Sequence, residues 1–231
     1  MTPEQFTEQL KQALPVGLRS VVLYGSAAAG DHVSGKSDYN VLVVADRLGV
    51  AELNALAPAA VAWSADGNRP PVLFTPTQLA TSADAFPIEL LDMQQSRRVL
   101  FGDDLPAAIQ IKPEQLRLKL ERDWKTKLLQ LRERYLLTRG KPRAVADLMT
   151  ASLSTILVLC RAALRLHQTD VPANKLAAAR ALAQRLGFDA GIFVTVQEMK
   201  TGQRKPTNEE IAALFATYLT TIEQIETQLT K

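Results

Sequence analysis

One cysteine and two histidines in 231 residues remove several chemistries at the outset. Cys160 has no partner for a disulfide within the chain, so a reducing compartment, the cytosol, is expected. It lies in an apolar helical run and reads as a core residue. His32 and His167 are far apart in sequence. Neither a Cys/His zinc cluster nor a Ser-His-Asp triad is signalled. No internal repeat is present. No charged region of the kind that precedes a signal peptide opens the chain either, since Thr2-Pro3-Glu4-Gln5 reads as a helix cap and first turn. The most apolar window, Leu148 to Cys160, reads as too short to span a bilayer, and Asp147 and Arg161 flank it. A buried helix is expected there, and no membrane partner.

What is present is the composition of an ordinary globular protein, 47% apolar and 22% charged. The length fits one large domain or two small ones. The net charge of +3 is unevenly placed. Lys112 to Arg143 holds eleven Lys/Arg against four Asp/Glu, a local +7, which leaves −4 for the rest. Such asymmetry suggests a basic surface suited to phosphates or RNA, although nucleic acid is not the favoured partner. Individually, Lys119, Arg122 and Lys125 read as a solvated helix face.

Ser20 to Ala45 reads SVVLYGSAAAGDHVSGKSDYNVLVVA. Two β-branched runs, Val21–Tyr24 and Val41–Val44, bracket a loop rich in Gly and Ser. A Gly after a strand lets the backbone turn sharply and approach a ligand closely. Ser26 adds a hydroxyl, and amides at a following helix start would point at an anion. Residues i and i+2 of a strand share a face, so Asp38 and Asn40 project their oxygens together. Oxygen ligands of this kind suit Mg²⁺, which is commonly held by one or two carboxylates plus substrate phosphates.

This arrangement resembles the nucleotidyltransferase superfamily of polymerase-β type, whose signature is Gly-Ser, a variable loop and Asp-x-Asp. Asp38 lies twelve positions after Ser26. Here Asn40 stands at the second Asp position, which keeps an oxygen but brings no negative charge. The resemblance implies that Gly25 and Ser26 hold the phosphates of a nucleoside triphosphate, with Lys36 beside them. It implies Asp38 as main metal ligand, Asn40 as a weaker one, and a third carboxylate from a later strand that joins the Mg²⁺ site and acts as base toward a hydroxyl acceptor.

The expected fold is α+β: a small mixed β-sheet nucleotidyltransferase domain over 1–110, then an α-helical bundle over 111–231. In order, the pattern predicts a helix over Thr2–Leu14, the two motif strands, a helix over Asp46–Ala60 and a short strand at Ala59–Ala62. Strands at Pro71–Phe74, Phe86–Met93 and Val99–Phe101 follow, with a short helix from Thr75. Helices are expected over Pro113–Thr138, Arg143–His167, Asn174–Leu186, Phe188–Lys200 and Thr207–Thr230. This two-part layout is similar to the kanamycin and streptomycin nucleotidyltransferases and to HEPN-like helical families.

Pro71–Phe74 carries no acid, so the third carboxylate falls to Glu89 or Asp92. On a regular strand these two have opposite parity and only one can face Asp38. Glu89 is preferred, because a Glu among Phe86, Ile88, Leu90 and Leu91 needs a partner if buried. The candidate set is therefore Asp38 and Glu89 as catalytic acids, Gly25, Ser26 and Lys36 for phosphate, and Asp38, Asn40 and Glu89 for metal. Arg161 and His167 loosely match the Arg-x(4–6)-His pattern of HEPN ribonucleases, but six residues on a helix place them about 240° apart. Three functional classes stay open: a nucleotidyltransferase, a degenerate relative that binds nucleotide or a partner without turnover, and a toxin–antitoxin component.

Overall fold

Four strands, Leu18–Tyr24 (β1), Asn40–Ala45 (β2), Val72–Phe74 (β3) and Arg97–Gly102 (β4), form one mixed sheet in the order β3-β2-β1-β4. β1 runs antiparallel to both β2 and β4, and β2 runs parallel to β3. The computed structural model describes residues 1–25, 27–28 and 39–229. Ser26, Lys36 and Asp38 lie outside them. The chain divides into two compact units, Met1–Gln115 and Leu116–Lys231.

In the first unit the alternation of β1 and β2 feeds two cores. Val21, Leu23, Val41 and Val43 pack on one side with helices Pro3–Ala13 (α1) and Val50–Ala65 (α2). Val22, Leu42 and Val44 pack on the other with helices Pro76–Ala80 (α3) and Pro87–Gln95 (α4). Both faces are covered, which is why these strands read as continuous apolar runs rather than alternating ones. Each fully buried Val or Leu contributes roughly 1.5–3 kcal/mol. At the start of α1, Thr2 Oγ1 accepts the Gln5 amide at 3.2 Å while Gln5 Oε1 accepts the Thr2 amide at 2.9 Å, the expected capping box. Phe6 of α1 stacks on Trp63 of α2 with ring centroids 4.5 Å apart.

Two expected strands are helices. Ala59–Ala62 is the interior of α2, which runs on to Ala65 although it contains Pro58. The Ala-rich composition favours helix, and the burial of Leu56, Ala59 and Trp63 against α1 carries it past the proline. Gly49 caps this helix, its amide donating to Glu52 Oε2 at 2.9 Å. Phe86–Met93 belongs to α4. Pro87 sits at its first turn with φ already helical, and the short apolar run that looked like a buried strand is equally a helix face.

The second unit is all helix: Pro113–Thr138 (α5, beginning three residues before the unit), Pro142–Arg165 (α6), Lys175–Leu186 (α7), Gly191–Thr201 (α8) and Asn208–Leu229 (α9). Leu116, Leu120, Trp124, Leu128 and Leu131 form the buried stripe of α5. Trp124 Nε1 donates to the Ile222 carbonyl at 3.0 Å, and Tyr135 stacks on Phe215 at 4.3 Å, so large side chains fasten α5 to α9. α6 is 24 residues long and apolar enough to cross a membrane by length and composition, a correction to the sequence-based expectation that its apolar window is too short. Twelve of its residues are buried within the unit, Cys160 among them, so packing against the other helices accounts for the apolarity. Burial pushes the Cys160 thiol well above its ordinary range, which keeps it an unreactive core group. The architecture is thus α+β, a small mixed sheet unit followed by a helical region.

Candidate functional site

β1 ends in Gly25, whose φ of +79° lies in the left-handed region that favours glycine. Its amide donates to the Ser96 carbonyl at 2.9 Å, at the C-terminal cap of α4, and its own carbonyl accepts the Ala28 amide at 3.1 Å. Across the ladder Tyr24 pairs with Asn40, the first residue of β2. A Cβ on Gly25 would sit 3.3 Å from Asn40 Nδ2. Glycine is therefore favoured by the backbone angle, and a larger residue would also have to push the Asn40 side chain aside.

Directly opposed residues on neighbouring strands share a face. Tyr24 packs with the Val22–Leu42 core, so Asn40 is on the side of the sheet that α4 covers. Glu89 lies in the first turn of α4. It is exposed and makes no ion pair with any described residue. It is close enough to Tyr24 to act on it electrostatically: burial pushes the Tyr24 phenol above its ordinary value, Arg69 works against that, and Glu89 adds to it. The structure thus brings Gly25 and Asn40 into contact and sets Glu89 and Arg69 around Tyr24, the cross-strand partner of Asn40.

The expectation that Glu89 and Asp92 point to opposite faces is overturned. On a helix a separation of three residues leaves side chains about 60° apart, on one side. Nor is Glu89 a buried acid in need of a partner, since it is solvent-exposed; Asp92 is the half-buried one. Tyr39, next to Asp38 in sequence, is tied down by its amide, which donates to Asn68 Oδ1 at 3.3 Å, and its ring lies 5.8 Å from that of Trp63. Asn68 in turn donates to the Trp63 carbonyl at 3.3 Å, and Trp63 Nε1 donates to the Arg69 carbonyl at 2.9 Å. The turn after α2 therefore anchors the chain where it enters β2.

Among the described residues no group of three His, Cys, Asp or Glu side chains could hold a metal ion. The described donors the resemblance points to, the Asn40 amide oxygen and the Glu89 carboxylate, are oxygen ligands. That chemistry fits a hard cation such as Mg²⁺ rather than zinc. Sequence reasoning missed Tyr24, Asn68 and Arg69. Tyr24 was legible, because it has the parity of Val22 on a strand already identified; the other two sit in a turn whose return to β2 is a tertiary fact. The Arg161 and His167 side chains have separate settings. Arg161 is buried in α6, its Nη1 bonded to the Ala173 carbonyl at 2.7 Å. His167 follows the helix, and burial together with Arg185 and Arg117 lowers its pKa.

No protein-family model matches the chain, and no curated protein sequence matches it. Among solved structures, the spectinomycin adenyltransferase AAD(9) from Enterococcus faecialis, determined with ATP and spectinomycin, is similar from end to end. The TM-score is 0.59 at 15% identity, covering 99% of this chain and 98% of that one. The chain shares the overall fold of that adenyltransferase. At this identity the likeness is one of architecture: the nucleotidyltransferase-like sheet and the helical region both have counterparts, since the similarity spans both units.

Proposed function

We propose that this chain is a nucleotidyltransferase that moves a nucleoside monophosphate from a magnesium-bound triphosphate to a hydroxyl acceptor. The acceptor oxygen forms a bond to the α-phosphorus, the bond to the bridging oxygen breaks, and pyrophosphate leaves. The observation that carries the reading is the contact of the left-handed Gly25 with Asn40 at the end of the sheet that α4 covers, within a chain that shares its whole architecture with an adenyltransferase. In this reading the Gly25 turn lets a phosphate approach the backbone closely and Ser26 offers its hydroxyl, with Lys36 beside them. Glu89 takes the acceptor proton; its exposure on the first turn of α4 leaves it open to a substrate. Asp38, Asn40 and Glu89 would hold Mg²⁺, which supplies neutralisation of the charge developing on the triphosphate. ATP and an aminocyclitol head the trial panel, because the structural neighbour was determined with ATP and spectinomycin.

A second reading is favoured by Asn40 itself: the amide leaves the site one charge short, as in a protein that binds nucleotide or a partner without turnover. One experiment separates the two. Incubation with each of the four triphosphates and a panel of hydroxylated acceptors should release pyrophosphate in an acceptor-dependent way. Nucleotide binding by calorimetry that is indifferent to Mg²⁺, with no pyrophosphate from any combination, would establish the binding-only reading. Asn40→Asp is then informative, with about tenfold tighter Mg²⁺-dependent nucleotide binding expected if the remaining ligands are in place.

A further inference from the structure

Within the helical unit, α5 and α6 leave a cleft of about 70 Å³ between them. Lys127, Gln130 and Arg134 line it from α5, and Ser152 and Thr155 from α6, over an apolar floor that includes Leu131. Lys127 and Arg134 are seven residues apart, two helical turns, so both edge the same side of α5. No carboxylate lines the cleft. Lys127 Nζ is bonded to a neutral partner, Gln130 Oε1, at 3.0 Å, and the Gln130 amide nitrogen is a further donor in the same residue. Arg134 makes no ion pair with any described residue, and the half-buried Thr155 hydroxyl has no hydrogen-bond partner among them.

Elsewhere the unit does neutralise cations that neighbour acids: Lys119 pairs with Asp123 at 2.7 Å and Arg132 with Glu223 at 2.8 Å. In the cleft two like charges border one small space with no carboxylate in its lining. Its back wall is fixed and uncharged. Ser152 Oγ donates to the Met149 carbonyl at 3.0 Å and lies 2.9 Å from the Tyr218 hydroxyl. Tyr218 is fully buried, and its phenol stays protonated because burial pushes its pKa up. The two hydroxyls share one hydrogen bond.

We propose that this cleft is a binding site for a tetrahedral oxyanion, a phosphate or phosphoryl group, held by Lys127, Arg134, the Gln130 amide and the Thr155 hydroxyl. The volume selects the ligand class. At about 70 Å³ it is far below the roughly 300 Å³ of pockets that enclose a drug-sized molecule, which suits one small group such as a phosphoryl. Two cations match a dianion, and charge-assisted hydrogen bonds from Arg and Lys are the usual means of holding one. The site belongs to the helical unit and does not rest on nucleotidyl transfer, so failure of that reading leaves it standing.

The test is phosphate binding by the intact chain, measured by calorimetry and by thermal shift against chloride at equal ionic strength. Inorganic phosphate should stabilise the protein where chloride does not. Lys127→Gln with Arg134→Gln should weaken phosphate binding at least about tenfold. Thr155→Val, which keeps both charges, should weaken it several-fold. Arg122→Gln with Lys125→Gln, on the opposite side of the same helix, should leave it unchanged. Equal loss in that control pair would mean a diffuse basic field and would overturn the site. So would unchanged affinity in the cleft pair, or no phosphate effect in the parent. A second arm identifies the source: if the affinity for ATP also falls in the cleft pair, the anion is the phosphoryl tail of a nucleotide, and if it does not, the ligand is the free oxyanion.

Discussion

Gly25 shows how much one residue carries at the end of this sheet. Its φ of +79° strains any side chain, and a Cβ there would press on Asn40 Nδ2 at 3.3 Å. Gly25→Ala is expected to destabilise the first unit by about 1–3 kcal/mol, the usual cost of forcing a non-glycine residue into such a conformation, and to displace Asn40. Urea unfolding measures the first effect, and loss of nucleotide affinity the second. A variant of parental stability would show that the turn can relax. Glu89 is the opposite kind of residue, because nothing in the fold depends on it. Glu89→Gln should leave the melting temperature unchanged, since the side chain is exposed and has no ion-pair partner among the described residues. Turnover should fall at least about 100-fold, as removal of a general base does. Intact turnover would remove Glu89 from the chemistry.

Among the elements, β4 and the short helical turn at 105–108 are joined by a pair whose strength follows pH. Arg97 Nε donates to both Asp104 carboxylate oxygens, at 2.7 and 2.9 Å, and that hydrogen bond holds the Asp104 pKa below its ordinary 3.8. A depressed carboxyl stabilises the folded state fully above its unfolded pKa and loses that contribution as pH falls through the folded one. Stability owed to the pair is therefore intact at neutral pH and disappears only in acid below 3.8. Both side chains are partly exposed, so solvent screening holds the contribution to about 1 kcal/mol or less. Asp104→Asn should lower stability by that amount at pH 7 and by nothing at pH 2, which acid titration of the unfolding free energy would detect. A difference that persists at pH 2 would mean that the carboxylate charge is not what the pair contributes.

For the molecule as a whole, charge and core divide at the same place. The first unit holds eight basic and thirteen acidic residues, the second nineteen and eleven. Each has its own interior, the sheet with α1 to α4 in one and α6 with α7 to α9 in the other. We expect the fragment 111–231 to fold alone as a helical protein, with cooperative thermal unfolding by circular dichroism at 222 nm. Within it, Trp124→Ala should cost about 3–5 kcal/mol through the cavity it leaves, besides the hydrogen bond to Ile222. A non-cooperative melt of the unsubstituted fragment would show that the two parts need each other to fold.

The sequence by itself determined the motif strands, the glycine turn after the first of them, the helix cap at Thr2, the long helix α5 and the α+β plan, because each is written in residues close together in the chain. It also named Asn40 as the departure from the signature. It misassigned Phe86–Met93, since a short apolar run after a proline has no period that separates strand from helix. That error carried over to the site, because the rule that Glu89 and Asp92 oppose each other holds only on a strand. Only the tertiary structure decided that α4 covers the face carrying Tyr24 and Asn40, that Arg69 returns to Tyr24, and that two cations of α5 meet the hydroxyls of α6 without an acid between them. Those relations depend on packing between distant segments, and local spacing does not encode it.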